Sequence, residues 1–223
     1  MFERYAIYYT AQGAFASRGA AWLGWDVDQG CLTGHPQAAG LDMAGLTAVP
    51  RKYGFHGTLK APFRLAIGMD EAGLRRAVQG VAGQLSAVHL DGLEVAVLGR
   101  FLALVPYGEA QLLREFSGEV VRRFDPFRAP STADEIARRR KANLTPPQDA
   151  NLQQWGYPHV MDQFRFHMTL TGRLPRPEIP QAQRKAAEHF APVLPKPFVL
   201  DALTLAGQRP DGMFVTLARF PLT

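Results

Sequence analysis

Two short segments of the chain carry the same pattern around a histidine. One reads FHGTL and the other FHMTL, so four of their five positions are identical. The chain has only six histidines, and a shared Phe, Thr and Leu around two of them is not expected from composition alone. On a β-strand, residues two apart project to the same face. The spacing therefore predicts that His56 and Thr58 share the polar face of one strand. By the same rule, His167 and Thr169 share the polar face of another.

Such a pair of strands, lying side by side, would line one cleft with two imidazoles and two hydroxyls. An imidazole has a pKa near ~6.5, so it can give or take a proton near neutral pH. One ring can deprotonate a water or hydroxyl that attacks phosphorus, while the other protonates the departing oxygen. The Thr hydroxyls can donate hydrogen bonds to the non-bridging oxygens as charge shifts during transfer. This chemistry requires no metal and no other cofactor.

Two other interpretations compete with this one. A single His-x-Thr on a strand is usually structural, with the imidazole bonded to a carbonyl, and the duplication is what favours catalysis. Zinc can also bind to two histidines and a few carboxylates. However, the sequence contains no His-Glu-x-x-His pattern or similar cluster. The sequence therefore predicts no metal site.

The elements that must position these motifs alternate between strands and helices. β-Forming patterns predict strands over 4–10, 53–59, 88–98, 101–105, 164–171, 198–205 and 213–218. Helical spacing of apolar residues predicts helices over 14–25, 71–85, 110–124 and 181–190. Residues 26–50 are expected to be irregular, as is a polar, Pro-rich stretch from 125 to about 160. Within that stretch, Ser131-Thr132 resembles a helix start, and the basic run Arg138 to Lys141 would end the helix.

This order of elements predicts an α+β fold with antiparallel sheet. It also predicts two related halves, because each histidine strand is followed by a helix and then by two strands. The length of 223 residues suits one domain of two lobes over 1–223.

The paired motifs resemble those of the two-histidine (2H) phosphoesterase superfamily, which includes RNA 2′,3′-cyclic phosphodiesterases and 2′-5′ RNA ligase-like proteins. The segments YGFHGTLKAPF, FDPFRAP and FRFHMTLTG are further similar to the branch found beside phosphonate-degradation genes and called DUF1045. The resemblance implies a bilobal, pseudo-twofold α+β fold in which two mostly antiparallel sheets line a central cleft, with helices outside. It also implies metal-free catalysis by His56, Thr58, His167 and Thr169.

Basic and aromatic residues near the motifs are expected to bind the substrate. They are Lys60, Arg165, Arg173 and Tyr53. Lys60 shares the His56 face provided the strand stays regular through Ala61, and the same count puts Arg165 and Arg173 on the face of His167. Four further histidines lack a paired context, and His159 is the nearest of them to the second motif. The run Arg138 to Lys141 fits an RNA backbone, a second phosphate or a solvated helix end.

Composition limits the remaining choices. The net charge of +5 favours anionic partners. No apolar run approaches the ~18 residues of a membrane span, no signal pattern is present, and Cys31 is the only cysteine, so a cytoplasmic monomer is expected. The predicted function is hydrolysis of a small cyclic phosphate ester, such as a phosphoribose cyclic phosphate linked to phosphonate catabolism. The alternatives are an RNA 2′,3′-cyclic phosphodiesterase and a non-catalytic nucleotide- or RNA-binding protein.

Overall fold

The strands of the molecule form one large antiparallel sheet. The computed structural model describes residues 2–38 and 40–223. The described strands are β1 (Tyr5–Thr10), β2 (Trp25–Asp26), β3 (Cys31–Leu32), β4 (His56–Phe63), β5 (Val88–Leu90), β6 (Gly92–Leu98), β7 (Phe101–Tyr107), β8 (Met168–Thr169), β9 (Phe198–Leu200), β10 (Ala202–Gln208) and β11 (Phe214–Pro221). Seven of them form the sheet in the order β11-β10-β1-β4-β8-β7-β6, and each neighbouring pair is antiparallel. The α+β fold with antiparallel sheet is therefore confirmed.

The two histidine strands meet at the middle of this sheet, as the motif pattern predicted. They pair where Gly57 of β4 lies opposite Met168 of β8. A side chain at position 57 would collide with the ring of Phe166, so this close approach requires glycine. The predicted strand over 164–171 forms a ladder only at its last part. The preceding residues leave a 3₁₀ turn over Met161–Gln163 and run extended up to His167 without a strand partner.

The described helices are α1 (Gly13–Leu23), α2 (Met43–Arg51), α3 (Glu71–Ala82), α4 (Gln111–Phe124), α5 (Ala133–Arg140), α6 (Pro146–Trp155) and α7 (Ile179–Phe190). Of these, α3, α4 and α7 cover the apolar back of the sheet. The apolar faces of α3, α4 and α7 join Phe55, Leu59, Phe166, Met168 and Leu170 in one buried core. Removing this surface from water is the main force that holds the helices on the sheet. None of the described helices has both the length and the apolar character needed to cross a bilayer.

The hairpin that follows each histidine strand in sequence extends the sheet on the side of the other histidine strand. The hairpin β6–β7 follows β4 in sequence but extends the sheet beside β8. The hairpin β10–β11 follows β8 but lies on the side of β4, with β1 between them. The helices cross over in the same way, because α3 packs on β10 and β11 while α7 packs on β6 and β7. Each histidine strand is thus supported by elements from both halves.

Two helices were not predicted. α6 begins at Pro146, a position where proline costs nothing, and Thr145 forms a capping box with Gln148. α2 contains Pro50, which cannot donate to the carbonyl of Leu46, and the N–H of Gly172 donates to that oxygen instead, at 2.6 Å. In both stretches the prolines suggested irregular backbone, whereas they lie where a helix tolerates them. The predicted start of α5 is confirmed by a capping box between Thr132 and Glu135.

Candidate active site

The first histidine is fixed by its own strand. The Nδ1 atom of His56 lies 2.9 Å from the carbonyl oxygen of Gly54, and Nε2 lies 3.0 Å from Oγ1 of Thr58. Gly54 has φ +75°, a left-handed conformation that glycine adopts without strain and that turns its carbonyl toward the ring. Because a carbonyl can only accept, Nδ1 must carry the proton. In the neutral ring, Nε2 is therefore the basic nitrogen.

Aromatic rings enclose His56. The ring of Tyr8 lies 3.9 Å from the imidazole, centroid to centroid, and that of Tyr53 lies 6.1 Å away. Part of the His56 side chain stays accessible, yet burial lowers its pKa from 6.5 to about 4. The hydrogen bond to Gly54 opposes this shift, and a charge on His167 adds to it. His56 is therefore neutral at pH 7, and the two imidazoles lie near enough to affect each other.

The second histidine is held in the same way but is more open. Its Nδ1 lies 2.8 Å from the carbonyl oxygen of Arg165, again two residues before the histidine. The ring of Phe101 lies 5.9 Å from the imidazole. Among the described residues, Nε2 of His167 has no hydrogen-bond partner, in contrast to Nε2 of His56. Thr169 follows on β8, opposite Ala103 of β7.

A cavity of about 460 Å³ opens between the two motifs. Its wall includes Thr58 and His167, together with Arg165, Phe101, Tyr157 and His159. His56 reaches this wall through its contact with Thr58. The volume falls within the ~300–1,000 Å³ typical of small-ligand sites. The cavity is therefore large enough to hold a small ester beside Thr58 and His167.

The four residues expected to bind the substrate have different positions. Arg165 lies in the cavity wall, and Tyr53 packs beside His56. Arg173 is exposed beyond β8 and does not line the cavity.

The prediction for Lys60 is wrong in its geometry. The pairing of β4 with β1 changes register next to Lys60, so the alternation that would have placed it on the His56 face is broken. Its side chain is buried, with Nζ 3.3 Å from Oδ1 of Asp125 and 3.1 Å from the carbonyl oxygen of Val121. Burial lowers the pKa of Lys60 to about 8, and Asp125 opposes that shift. Lys60 joins β4 to the end of α4 and does not line the cavity.

Three further residues of the site were not predicted from sequence. Tyr157 and His159 contribute to the cavity wall, and burial lowers the pKa of His159 with a smaller contribution from His167. The Tyr8 side chain is fully buried, and its hydroxyl has no hydrogen-bond partner in the described part of the chain. Proximity of His159 to the second motif was the one signal in the sequence. Tyr8 lies far from the second motif along the chain, whereas Tyr157 lies just before His159 and carries no motif of its own.

Over residues 2–38 and 40–223, no three His, Cys, Asp or Glu side chains are grouped so that they could hold a metal ion.

Comparison with known proteins identifies the family. The family described as "Protein of unknown function (DUF1045)" matches residues 58–215. A protein of Janthinobacterium sp. (strain Marseille) named ribose 1,5-bisphosphate phosphokinase PhnN is 40% identical over 233 residues, which cover 99% of this chain and 51% of that protein. A protein of the same name from Laribacter hongkongensis (strain HLHK9) is 32% identical over 218 residues, with 97% and 51% covered. The chain thus spans about half the length of these curated relatives.

Among solved structures, one described as "Crystal structure of phosphoesterase" aligns with 99% of this chain and 99% of its own, at 14% identity and a TM-score of 0.44. The family match covers most of the chain, and the chain belongs to the DUF1045 family of proteins of unknown function.

Proposed function

We propose that this protein is a metal-independent phosphodiesterase that hydrolyses a small cyclic phosphate ester, with His56 and His167 as its acid–base pair. One observation carries the proposal. Each imidazole is oriented by the carbonyl two residues before it, at 2.9 Å and 2.8 Å, and the two rings interact electrostatically beside one cavity. Two matched, oriented imidazoles are what concerted proton transfer to and from a phosphodiester requires.

The difference between the rings assigns their roles. His56 is neutral at pH 7, so its Nε2 takes the proton from the attacking water. His167 lines the cavity, its Nε2 has no hydrogen-bond partner among the described residues and, when protonated, this nitrogen donates to the leaving oxygen. Thr58 lines the cavity, and its hydroxyl donates to a non-bridging oxygen once substrate displaces the contact with Nε2 of His56. Thr169, on the face of His167, has the matching position on β8.

The name of the relatives supports a choice of substrate class. Their name describes a kinase acting on ribose 1,5-bisphosphate, and this chain corresponds to about half of each. Two activities joined in one chain often act on consecutive intermediates. We therefore infer that this half supplies ribose 1,5-bisphosphate from 5-phosphoribose 1,2-cyclic phosphate. Water attacks phosphorus, the bond from phosphorus to O2 breaks, O2 takes the proton, and the phosphate stays on O1.

Turnover distinguishes this proposal from its alternatives. The protein is incubated in EDTA with 5-phosphoribose 1,2-cyclic phosphate, and separately with an oligoribonucleotide ending in a 2′,3′-cyclic phosphate. Phosphorus NMR is expected to show ribose 1,5-bisphosphate from the first substrate and slower or no opening of the second. Preference for the oligoribonucleotide would favour an RNA end-processing enzyme. Binding without turnover would indicate a nucleotide- or RNA-binding protein, and activity restored only by a divalent ion would indicate a metal enzyme.

A further inference from the structure

A second pocket, separate from the catalytic cavity, is lined mainly by arginines. Its wall contains Arg4, Arg64, Arg128, Arg138 and Arg139, which we call the arginine pocket. These residues come from four distant parts of the chain, namely the start of β1, the end of β4, the segment before α5 and the end of α5 itself. The one carboxylate in the described wall is Glu135. The fold thus brings arginines from different elements together in one pocket.

Two of the five guanidinium groups are neutralised within the protein. Arg64 lies 3.0 Å from Glu135, and Arg128 lies 2.8 Å from Asp125.

The other three have no such partner. Arg4 donates through Nε to the neutral amide oxygen of Gln208, at 2.6 Å. In the part of the chain that the structure describes, neither it nor Arg138 or Arg139 forms an ion pair with a carboxylate. Cations held together without counter-charges are costly unless an anion joins them.

Arg139 shows this cost most directly. Its guanidinium lies 4.8 Å above the ring of Tyr157, so that part of its hydration shell is lost. Burial lowers the pKa of Arg139, and the charges of Arg138 and Arg4 lower it further. A dianion in the pocket would reverse the repulsion among these three groups and would accept hydrogen bonds from them.

A solvated helix end explains Arg140 but not its neighbours. Cations are favoured near the C-terminus of a helix, and Arg140 fits that explanation because it pairs with Asp149, at 2.7 Å, on the exposed face of α5. Arg138 and Arg139 instead lie in the arginine pocket with Arg4, which belongs to a different element. The helix dipole accounts for charge at the end of α5, whereas it does not account for convergence with β1.

The arginine pocket lies next to the catalytic cavity. Tyr157 lines that cavity while Arg139 covers its ring, and His159 interacts electrostatically with both His167 and Arg139. The buried hydroxyl of Tyr8 interacts electrostatically with Arg4 of the arginine pocket and with Tyr157 of the cavity wall. The two sites therefore share neighbouring residues.

We propose that the arginine pocket binds a second phosphate of the substrate, a monoester remote from the phosphate that is cleaved. The proposal rests on the proposed function and deepens it, since it requires a substrate with two phosphates. For 5-phosphoribose 1,2-cyclic phosphate, the bound group is the 5-phosphate. An RNA 2′,3′-cyclic end presents a diester at the corresponding position, with one negative charge fewer for the arginines.

Kinetics on two substrates test the proposal. The double variant Arg138→Gln/Arg139→Gln is compared with Arg140→Gln, a matched control on the same helix that does not line the pocket. With 5-phosphoribose 1,2-cyclic phosphate, the double variant is expected to raise KM about 10- to 100-fold, the range for losing charged hydrogen bonds to a phosphate. With ribose 1,2-cyclic phosphate it should have no effect. An equal increase in KM for both substrates, or no increase for either, would overturn the proposal.

A binding measurement tests the arginine pocket independently of the proposed catalytic activity. Ribose 5-phosphate is titrated calorimetrically into the wild-type protein, the double variant and Arg140→Gln. Binding should weaken by about tenfold or more in the double variant and stay unchanged in Arg140→Gln, whether or not any cyclic ester is turned over. If ribose 5-phosphate does not bind, or binds the double variant as well as the wild type, the arginine pocket is not a phosphate site.

Discussion

The two His-x-Thr motifs have the same sequence pattern and different surroundings. His56 begins an eight-residue strand, is enclosed by Tyr8 and Tyr53, and has Nε2 bonded to Thr58. His167 precedes a two-residue strand and lines the cavity, and its Nε2 has no hydrogen-bond partner among the described residues. Both rings are oriented by the carbonyl two residues earlier. The duplicated pattern thus gives each imidazole the same backbone hydrogen bond, whereas the surroundings of His56 also lower its pKa.

The largest expected effect is loss of either imidazole. His56→Ala and His167→Ala should each lower kcat by roughly 10²–10⁴-fold, the contribution of a positioned acid or base. The double variant should be little worse than either single variant, because the two rings act as a unit. Steady-state kinetics on the cyclic ester measure this.

His56→Ala and His167→Ala should differ in their free energy of unfolding, although both should lose activity. His56→Ala leaves the Tyr8 ring without its neighbour and should lower the free energy of unfolding by about 1–3 kcal/mol, whereas His167→Ala should change it by less than about 0.5 kcal/mol. Urea unfolding provides the measurement. A folded, fully active His167→Ala protein would make the second motif structural and His159 the next candidate.

Loss of the Thr58 hydroxyl should lower kcat more than loss of the Thr169 hydroxyl. Thr58 lines the cavity and contacts His56, so Thr58→Val should lower kcat by about 10²–10³-fold, the cost of losing an oxyanion donor. Thr169 is not part of that wall, so Thr169→Val should cost less than about 10²-fold. Both changes keep the β-branched shape of the strand residue. Equal losses would show that the two motifs act as equivalents despite their different burial.

The pH dependence tests the low pKa of His56 directly. Because burial and His167 lower the pKa of His56 to about 4, the ring should lose its basic form only as the pH falls through that value. Below it, kcat/KM should decrease about tenfold per pH unit. In His167→Gln the electrostatic contribution disappears, so the pKa of His56 should rise. Proton NMR titration of the His56 ring follows this without activity, and a midpoint near the ordinary value of ~6.5 in the wild type would contradict the assignment of His56 as the neutral base.

The smallest effect is expected from the hydroxyl of Tyr8. Tyr8→Phe removes a buried group that has no hydrogen-bond partner in the described structure, so the free energy of unfolding should stay the same or rise by up to about 1 kcal/mol. The ring contact with His56 remains. Any loss of kcat/KM on the cyclic ester would then report a bond that this hydroxyl makes only to the substrate. Thermal unfolding and kinetics on one preparation separate the two readouts.

Sequence reasoning found the parts of the molecule that depend on local pattern. The motifs, the apolar face of α4 and the capping box at Thr132 follow from spacing of 2.0 and 3.6 residues and from cap chemistry. Lys60 was misplaced because one change of register reverses every later side chain on a strand, and no residue type near it signals that change. Tyr157 and Arg4 were not found, since their contacts with each other's surroundings form only when separate parts of the chain pack together.

The central position of β1 determines the order in which the molecule can fold. Tyr5 lies opposite Gly207 and Tyr8 opposite Thr204, so the first strand of the chain completes its pairing with one of the last. Such a contact closes a loop of nearly the whole chain, which is slow because the entropy of closure is lost before the contact stabilises anything. On the ribosome, β1 can pair with β4 early, but its other edge has to wait until residue 208 has emerged. A half-synthesised chain therefore exposes the edge of the strand that carries Tyr8, and the proposed active site is among the last parts to form.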